Sequence, residues 1–292
     1  MNIMLAVTLA VLGALLGSFA CAQVWRLRAR QLREDKRQGE VVDPKEYRTL
    51  QGLLRPTLQD RSECLSCHHP LAWYDLIPIV SWVSLGGKCR YCHHRIGMTE
   101  ILVEVLLAAM FVVSYLFWPH SLIGTVDIVI FSLWLVVLVL ATILFIYDAK
   151  WSLLPFAINV LFIIVAVVFW AVHSWQYGTD FLSLGGALML LAGLYFLFSL
   201  FGWVGMGDGI LGVGLAFLVG KWELAFLTLF LANLLGCFML IPMMATKRLH
   251  RHARIPFGPF LILATVIVVL WGSWIIETFL QISSMSLMSV ML

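Results

Sequence analysis

Four cysteines read Cys64-Leu65-Ser66-Cys67 and, after 21 intervening residues, Cys89-Arg90-Tyr91-Cys92. Two residues between thiols let both sulfurs face one ion while backbone amides stabilise the thiolates. Two such knuckles supply the four donors of a tetrahedral zinc site. The knuckles repeat internally, each ending in a His pair: His68 and His69, then His93 and His94. Those histidines are alternative ligands, but four thiolates already complete a shell. A site closed by protein ligands leaves no position for water, so its role is to fold a segment too small and polar to build its own core. Two disulfides are the competing reading, and a reducing compartment disfavours them. Cys21 and Cys237 fall in apolar runs and are read as packing residues.

The acids carry the other chemistry. Eight of the sixteen lie between residues 26 and 99. Of the rest, Asp127, Asp180, Glu223 and Glu277 fall near outer ends of apolar segments and Glu100 at an inner boundary. Glu104, Asp148 and Asp208 remain. An ionisable group within a bilayer costs several kcal/mol and is a functional candidate by default. Asp148 and Asp208 lie at inner ends of different helices, so they can meet without crossing the membrane. Two carboxyls sharing a site cannot both ionise cheaply, and one keeps a proton. The ionised one can act as general base on water; the protonated one can donate to the attacked carbonyl oxygen. That equips the pair for peptide hydrolysis without a covalent intermediate. The plainer alternatives are a surface Asp148 pairing with Lys150, and Asp208 as a helix N-cap.

These residues need elements to position them. The chain of 292 residues is 62% hydrophobic and 12% charged, with mean hydropathy +0.96, which excludes an ordinary soluble domain. A net charge of +3 is too small to argue for nucleic acid. Eight apolar segments emerge, at roughly 3–24, 101–118, 126–147, 154–173, 182–203, 208–220, 224–245 and 257–280. The fold class is therefore an all-α polytopic membrane protein of about eight transmembrane helices. The sixth segment is short, and Gly205, Gly207, Gly209, Gly212 and Gly214 near it permit close helix contact.

Residues 26–99 hold 21 of the 35 charged groups and form one polar insert. With that insert in the cytoplasm, the loops at 148–153 and 246–256 also fall inside, and 18 of 19 basic residues are cytoplasmic, Lys221 excepted. The expected division is a first transmembrane helix at 1–25, a cytoplasmic zinc-binding loop domain at 26–99, and a transmembrane bundle at 100–292. The first apolar run has no basic residue before it, so it is read as a retained helix, not a cleaved signal. The basic run at 30–60 either meets anionic lipid headgroups or forms a solvated helix. The twelve Trp and nineteen Phe are read as lipid-facing and interfacial groups.

The sequence resembles the type IV prepilin peptidases, or leader peptidases, of bacterial pilus and type II secretion systems. The motifs run in order along nearly the whole chain: Gly17-Ser18-Phe19, then Trp73-Tyr74-Asp75-Leu76-Ile77-Pro78 with Ser81-Trp82 between the knuckles, then Leu102-Val103-Glu104. Tyr147-Asp148 with Leu154-Pro155, Gly205-Met206-Gly207-Asp208 of the GxGD type, and Ile255-Pro256-Phe257-Gly258-Pro259-Phe260 follow. The resemblance implies a multi-pass enzyme of the bacterial inner membrane. It implies cleavage of the basic leader of prepilins or pseudopilins at the cytoplasmic face, with Asp148 and Asp208 as the peptidase pair and Gly205 and Gly207 supporting them. It also implies N-methylation of the new terminus from S-adenosylmethionine, tied to the cysteine loop, and sets Glu104 near the substrate path.

Three departures stand out. Asp208-Gly209-Ile210 lacks the Lys usual two residues after the GxGD aspartate. Arg95-Ile96-Gly97-Met98-Thr99-Glu100 replaces an SxRYP stretch, and Trp25-Arg26-Leu27-Arg28 stands where YRLP is common. No Gly-rich nucleotide loop marks a donor site. The competing classes are another GxGD intramembrane protease, for which a Pro-Ala-Leu motif is missing, and a non-enzymatic scaffold or transporter.

Overall fold

The computed structural model describes residues 2–54, 61–202, 204–245 and 256–291. Among these the only β pairing is two isolated bridges, Glu63 with Pro70 and Lys88 with Arg95; the rest of the regular structure is helical. Seven helical runs are long and apolar enough to cross a membrane. They are α1 (Ile3–Arg37), α4 (Met98–Leu116), α5 (Thr125–Trp151), α6 (Phe156–Tyr177), the run Phe181–Leu200, α10 (Trp222–Ala245) and α11 (Gly258–Met291). The fifth run is α7 (Phe181–Leu188), a π turn at Met189–Gly193 and α8 (Leu194–Leu200). An eighth apolar helix, α9 (Met206–Val219), has 14 residues. At 1.5 Å per residue it spans about 21 Å, short of the roughly 30 Å hydrocarbon core. The polar insert adds α2 (Pro44–Leu50) and α3 (Val80–Ser84). The architecture expected from hydropathy, all-α with about eight apolar helices, is the one observed. The basic loop expected at 246–256 lies outside the described residues, except for Pro256.

The helix ends follow local chemistry. Ser152 ends α5 in the left-handed region (φ 52°), and Pro155, which cannot donate, precedes the first residue of α6. Gly220 (φ 67°) ends α9 where a side chain would be strained. α1 differs from the expectation: it continues some 13 residues past the apolar run, to Arg37. No Gly or Pro interrupts that stretch, and Ala29 and Leu32 are buried with Leu50 of α2. Trp25, Tyr47 and Leu65 pack on this cluster. The insert therefore has a small apolar core of its own, contrary to the expectation that it is too polar to build one. Arg28 reinforces it, reaching both carboxylate oxygens of Glu46 at 2.9 and 2.8 Å.

The chain forms two compact units, Met1–Leu116 with Leu138–Ile146, and Phe117–Val137 with Tyr147–Leu292. In the first, α1 and α4 pack backbone to backbone. A Cβ on Gly13 would lie 2.7 Å from Ala108 Cα, and one on Gly17 would lie 2.8 Å from Glu104 Cα. Gly13 and Gly17 are thus a small-xxx-small pair, which lets helices approach where lipid supplies no hydrophobic drive. In the second unit, α9 packs on α6, α8, α11 and the π turn. A Cβ on Gly212 would collide with the Leu191 carbonyl oxygen of that turn, and one on Gly214 with the Phe162 ring at 2.6 Å.

Candidate active site

Asp148 sits near the last turn of α5 and is buried, 4% exposed. It is not a surface residue of the turn that follows. Its Oδ2 accepts from the backbone N–H of Gly258, at the start of α11, at 3.0 Å. Asp208 is the third residue of α9 and partly buried. Gly205, not Asp208, occupies the N-cap, and the Asp208 N–H donates to the Gly205 carbonyl at 3.1 Å. An acid in the first turn faces the positive end of the helix dipole. Asp148 and Asp208 belong to the same unit, and Asp148 lies within reach of the Asp208 charge.

The glycines around Asp208 have separate reasons. A Cβ on Gly207 would crowd Leu154 at 3.2 Å, and one on Gly209 would meet the Phe196 ring at 2.8 Å. The GxGD turn is therefore held against the Leu154 and Phe196 side chains on either side of the aspartate. No Lys follows it, but Tyr195 of α8, buried, has its phenol within electrostatic reach of Asp208.

Asn159 was not singled out in the sequence. It lies one turn into α6, 1% exposed, and its Nδ2 donates to the Gly207 carbonyl at 3.2 Å. Its Oδ1 is buried without a protein partner. The signal was available: Asn159 is the one amide in the apolar segment 154–173. An amide at membrane depth is costly unless it bonds.

The four knuckle cysteines converge in the first unit, with all Sγ atoms within 4.8 Å of one another. Cys64 and Cys92 Sγ are 3.9 Å apart. That is far beyond a disulfide and close to the roughly 3.8 Å edge of a tetrahedron with metal–sulfur bonds of about 2.3 Å. The backbone repeats as the sequence does. Cys64 N–H donates to the His69 carbonyl and His68 N–H to the Cys64 carbonyl; Cys89 with His94 and His93 does the same. His68 and His93 share φ values of 56° and 55°. Burial pushes the Cys64 thiol up to about 12, whereas a backbone hydrogen bond at His94 brings Cys92 down to about 7. None of the four histidines joins the cluster of metal-binding groups. His68 Nδ1 instead lies 3.1 Å from Glu63, and the His69 ring packs against Tyr91 at a 39° tilt. The arrangement can hold a metal ion.

Glu104 belongs to the first unit and is buried there. Its Oε2 accepts the Ile79 N–H at 2.7 Å.

Residues 11–118 match the family model described as the bacterial peptidase A24 N-terminal domain. Relatives called prepilin leader peptidase/N-methyltransferase match over most of their length. The one from Pseudomonas putida is 32% identical over 94% of this chain and 94% of its own. That from Pseudomonas aeruginosa is 30% identical over 93% and 92%, and that from Aeromonas hydrophila 32% over 75% and 76%. No solved structure matches.

Proposed function

Because the chain belongs to the prepilin leader peptidase/N-methyltransferase family, we propose that it removes the leader of type IV prepilins or pseudopilins and methylates the exposed terminus. The setting is the bacterial inner membrane, which the protein crosses several times. The observation that carries the peptidase reading is the burial of Asp148 in the same unit as Asp208, within reach of its charge.

In this reading the two carboxyls share one proton. The ionised carboxylate takes a proton from water as the water oxygen bonds to the scissile carbonyl carbon. The protonated carboxyl donates to the carbonyl oxygen. Collapse of the tetrahedral intermediate breaks the C–N bond, and a proton passes to the leaving amine. Gly258 N–H fixes one oxygen of Asp148, so the carboxylate meets substrate already oriented. Gly205 and Gly207 shape the turn that carries Asp208.

The four cysteines are proposed to hold a structural zinc ion, which fits four thiolates better than harder cations. It would fasten the two knuckles of the insert, the part proposed to serve methyl transfer. S-adenosylmethionine is the proposed donor, supplying an electrophilic methyl group to the new amine. The Gly-x-Gly-x-x-Gly string at 207–212 lies inside the apolar helix α9 and not in a strand-to-helix loop, so it marks no nucleotide site and this half rests on family membership.

The test is a purified full-length protein in detergent or lipid with a prepilin substrate. Asp148→Asn and Asp208→Asn, each folded normally, abolish cleavage; undiminished cleavage in either sinks the pair. The mass of the processed pilin rises by one methyl group only when S-adenosylmethionine is added.

A further inference from the structure

The stretch from Leu71 to Leu85 belongs to the polar insert, yet it contains a single charged residue, Asp75. That charge is not offered to solvent. Asp75 is paired with Arg90 Nε at 2.8 Å, and its side chain is 4% exposed. Both serine hydroxyls of the stretch are satisfied internally: Ser81 Oγ donates to the Asp75 carbonyl at 2.7 Å, and Ser84 Oγ to the Ser81 carbonyl at 3.0 Å, while Trp82 Nε1 is buried without a protein partner. What remains on the outside is apolar. Trp73 is 76% exposed, Val80 61% and Val83 62%, with Leu76 and Ile77 also exposed. A contiguous apolar surface of this kind marks a contact.

The fold fixes its height. Ile79 has a positive φ (61°, with ψ −52°), a γ-turn conformation that is strained, the more so for a β-branched residue. Its N–H is held by the Glu104 carboxylate at 2.7 Å. Glu104 lies six residues into α4, about 9 Å along a helix that crosses the membrane. Neighbouring Leu102 is itself 59% exposed, as a lipid-facing residue would be. The backbone at Ile79 therefore lies level with the apolar part of α4.

We propose that Trp73–Ser84 is a wedge set into the leaflet in which α4 begins, and that its apolar face binds lipid acyl chains. Trp73 and Tyr74 then occupy the interface, where such rings concentrate. Interfacial helices sit about 5–10 Å deep, which agrees with the Glu104 anchor. The wedge would hold the metal-binding knuckles against the membrane surface through the Asp75–Arg90 pair, since Arg90 is part of the second knuckle.

The experiment uses full-length protein in nanodiscs of phosphatidylglycerol and phosphatidylcholine. An environment-sensitive fluorescent amino acid replaces Val80, Val83 or, as a control, fully exposed Val41. Lipids brominated on the acyl chains are expected to quench positions 80 and 83 several-fold more than position 41, and aqueous iodide the reverse. Iodide quenching at 80 and 83 equal to that at 41 overturns the proposal. Protection from both quenchers, with or without added prepilin, assigns the face to a protein partner and also overturns it. Cleavage activity does not enter this readout.

Discussion

Gly258 N–H donates to Asp148 Oδ2 at 3.0 Å across 110 residues of chain. The bond ties the C-terminal end of α5 to the first residue of α11. It also explains a glycine: a Cβ at position 258 would lie 2.6 Å from that same Oδ2, closer than a real Cβ contact. The site thus depends on a residue that contributes no side chain. The proposed catalytic geometry is built from a backbone donor and from the space glycines leave.

Gly258→Ala should therefore impair cleavage without unfolding the protein. The added methyl group must push the Asp148 carboxylate aside or break its hydrogen bond. A misplacement of about 1 Å costs on the order of a hundredfold in rate. The measurement is kcat for prepilin cleavage beside a thermal melt. A melt like that of the parent chain with kcat reduced about a hundredfold is expected; full activity would mean that the contact does not orient Asp148.

Asn159 is expected to act on Asp208 through the backbone. Its Nδ2 fixes the Gly207 carbonyl, immediately before the aspartate. Asn159→Leu keeps the volume and loses the donor. One neutral hydrogen bond is worth about 0.5–1.5 kcal/mol net, so kcat should fall roughly tenfold if that energy holds the turn in place. Asn159→Gln, which retains an amide, should recover part of the loss. A change confined to thermal stability, with kcat untouched, would leave Asn159 a packing residue.

The sequence was legible where periodicity and burial agree. Apolar runs located the helices because lipid permits only helices or closed barrels to span it. The short α9 was visible as a weak segment, and its glycines as a contact face. The partner of that face was not visible, because Gly212 meets the carbonyl of Leu191 in a π turn. A π turn needs no special residue type, so composition does not announce it. The same holds for Gly13 and Gly17: the spacing is present in the sequence, but α4 as their partner is a tertiary fact. The extension of α1 to Arg37 was missed because hydropathy marks where lipid ends, not where a helix does. Asn159 and Tyr195 are neutral, so the cost of charge in a bilayer that marks the acids does not announce them.

The cysteine cluster yields the last prediction, which concerns metal and acid. Without metal, burial keeps Cys64 protonated, its thiol pushed up to about 12. Metal capture at neutral pH must therefore displace a proton there, and uptake releases protons to buffer. Bound thiolates have folded-state pKa values below their unfolded value of about 8.5. Their stability contribution is present above that value and is lost as pH falls and protons compete for sulfur. The parent chain should carry one zinc ion, lost in Cys64→Ser, and a chelator should strip it faster at pH 5.5 than at pH 8. Metal analysis and proton release on refilling check this together. A chain that holds no metal at pH 8 would leave the knuckles to be closed by hydrogen bonds and the Asp75–Arg90 pair alone.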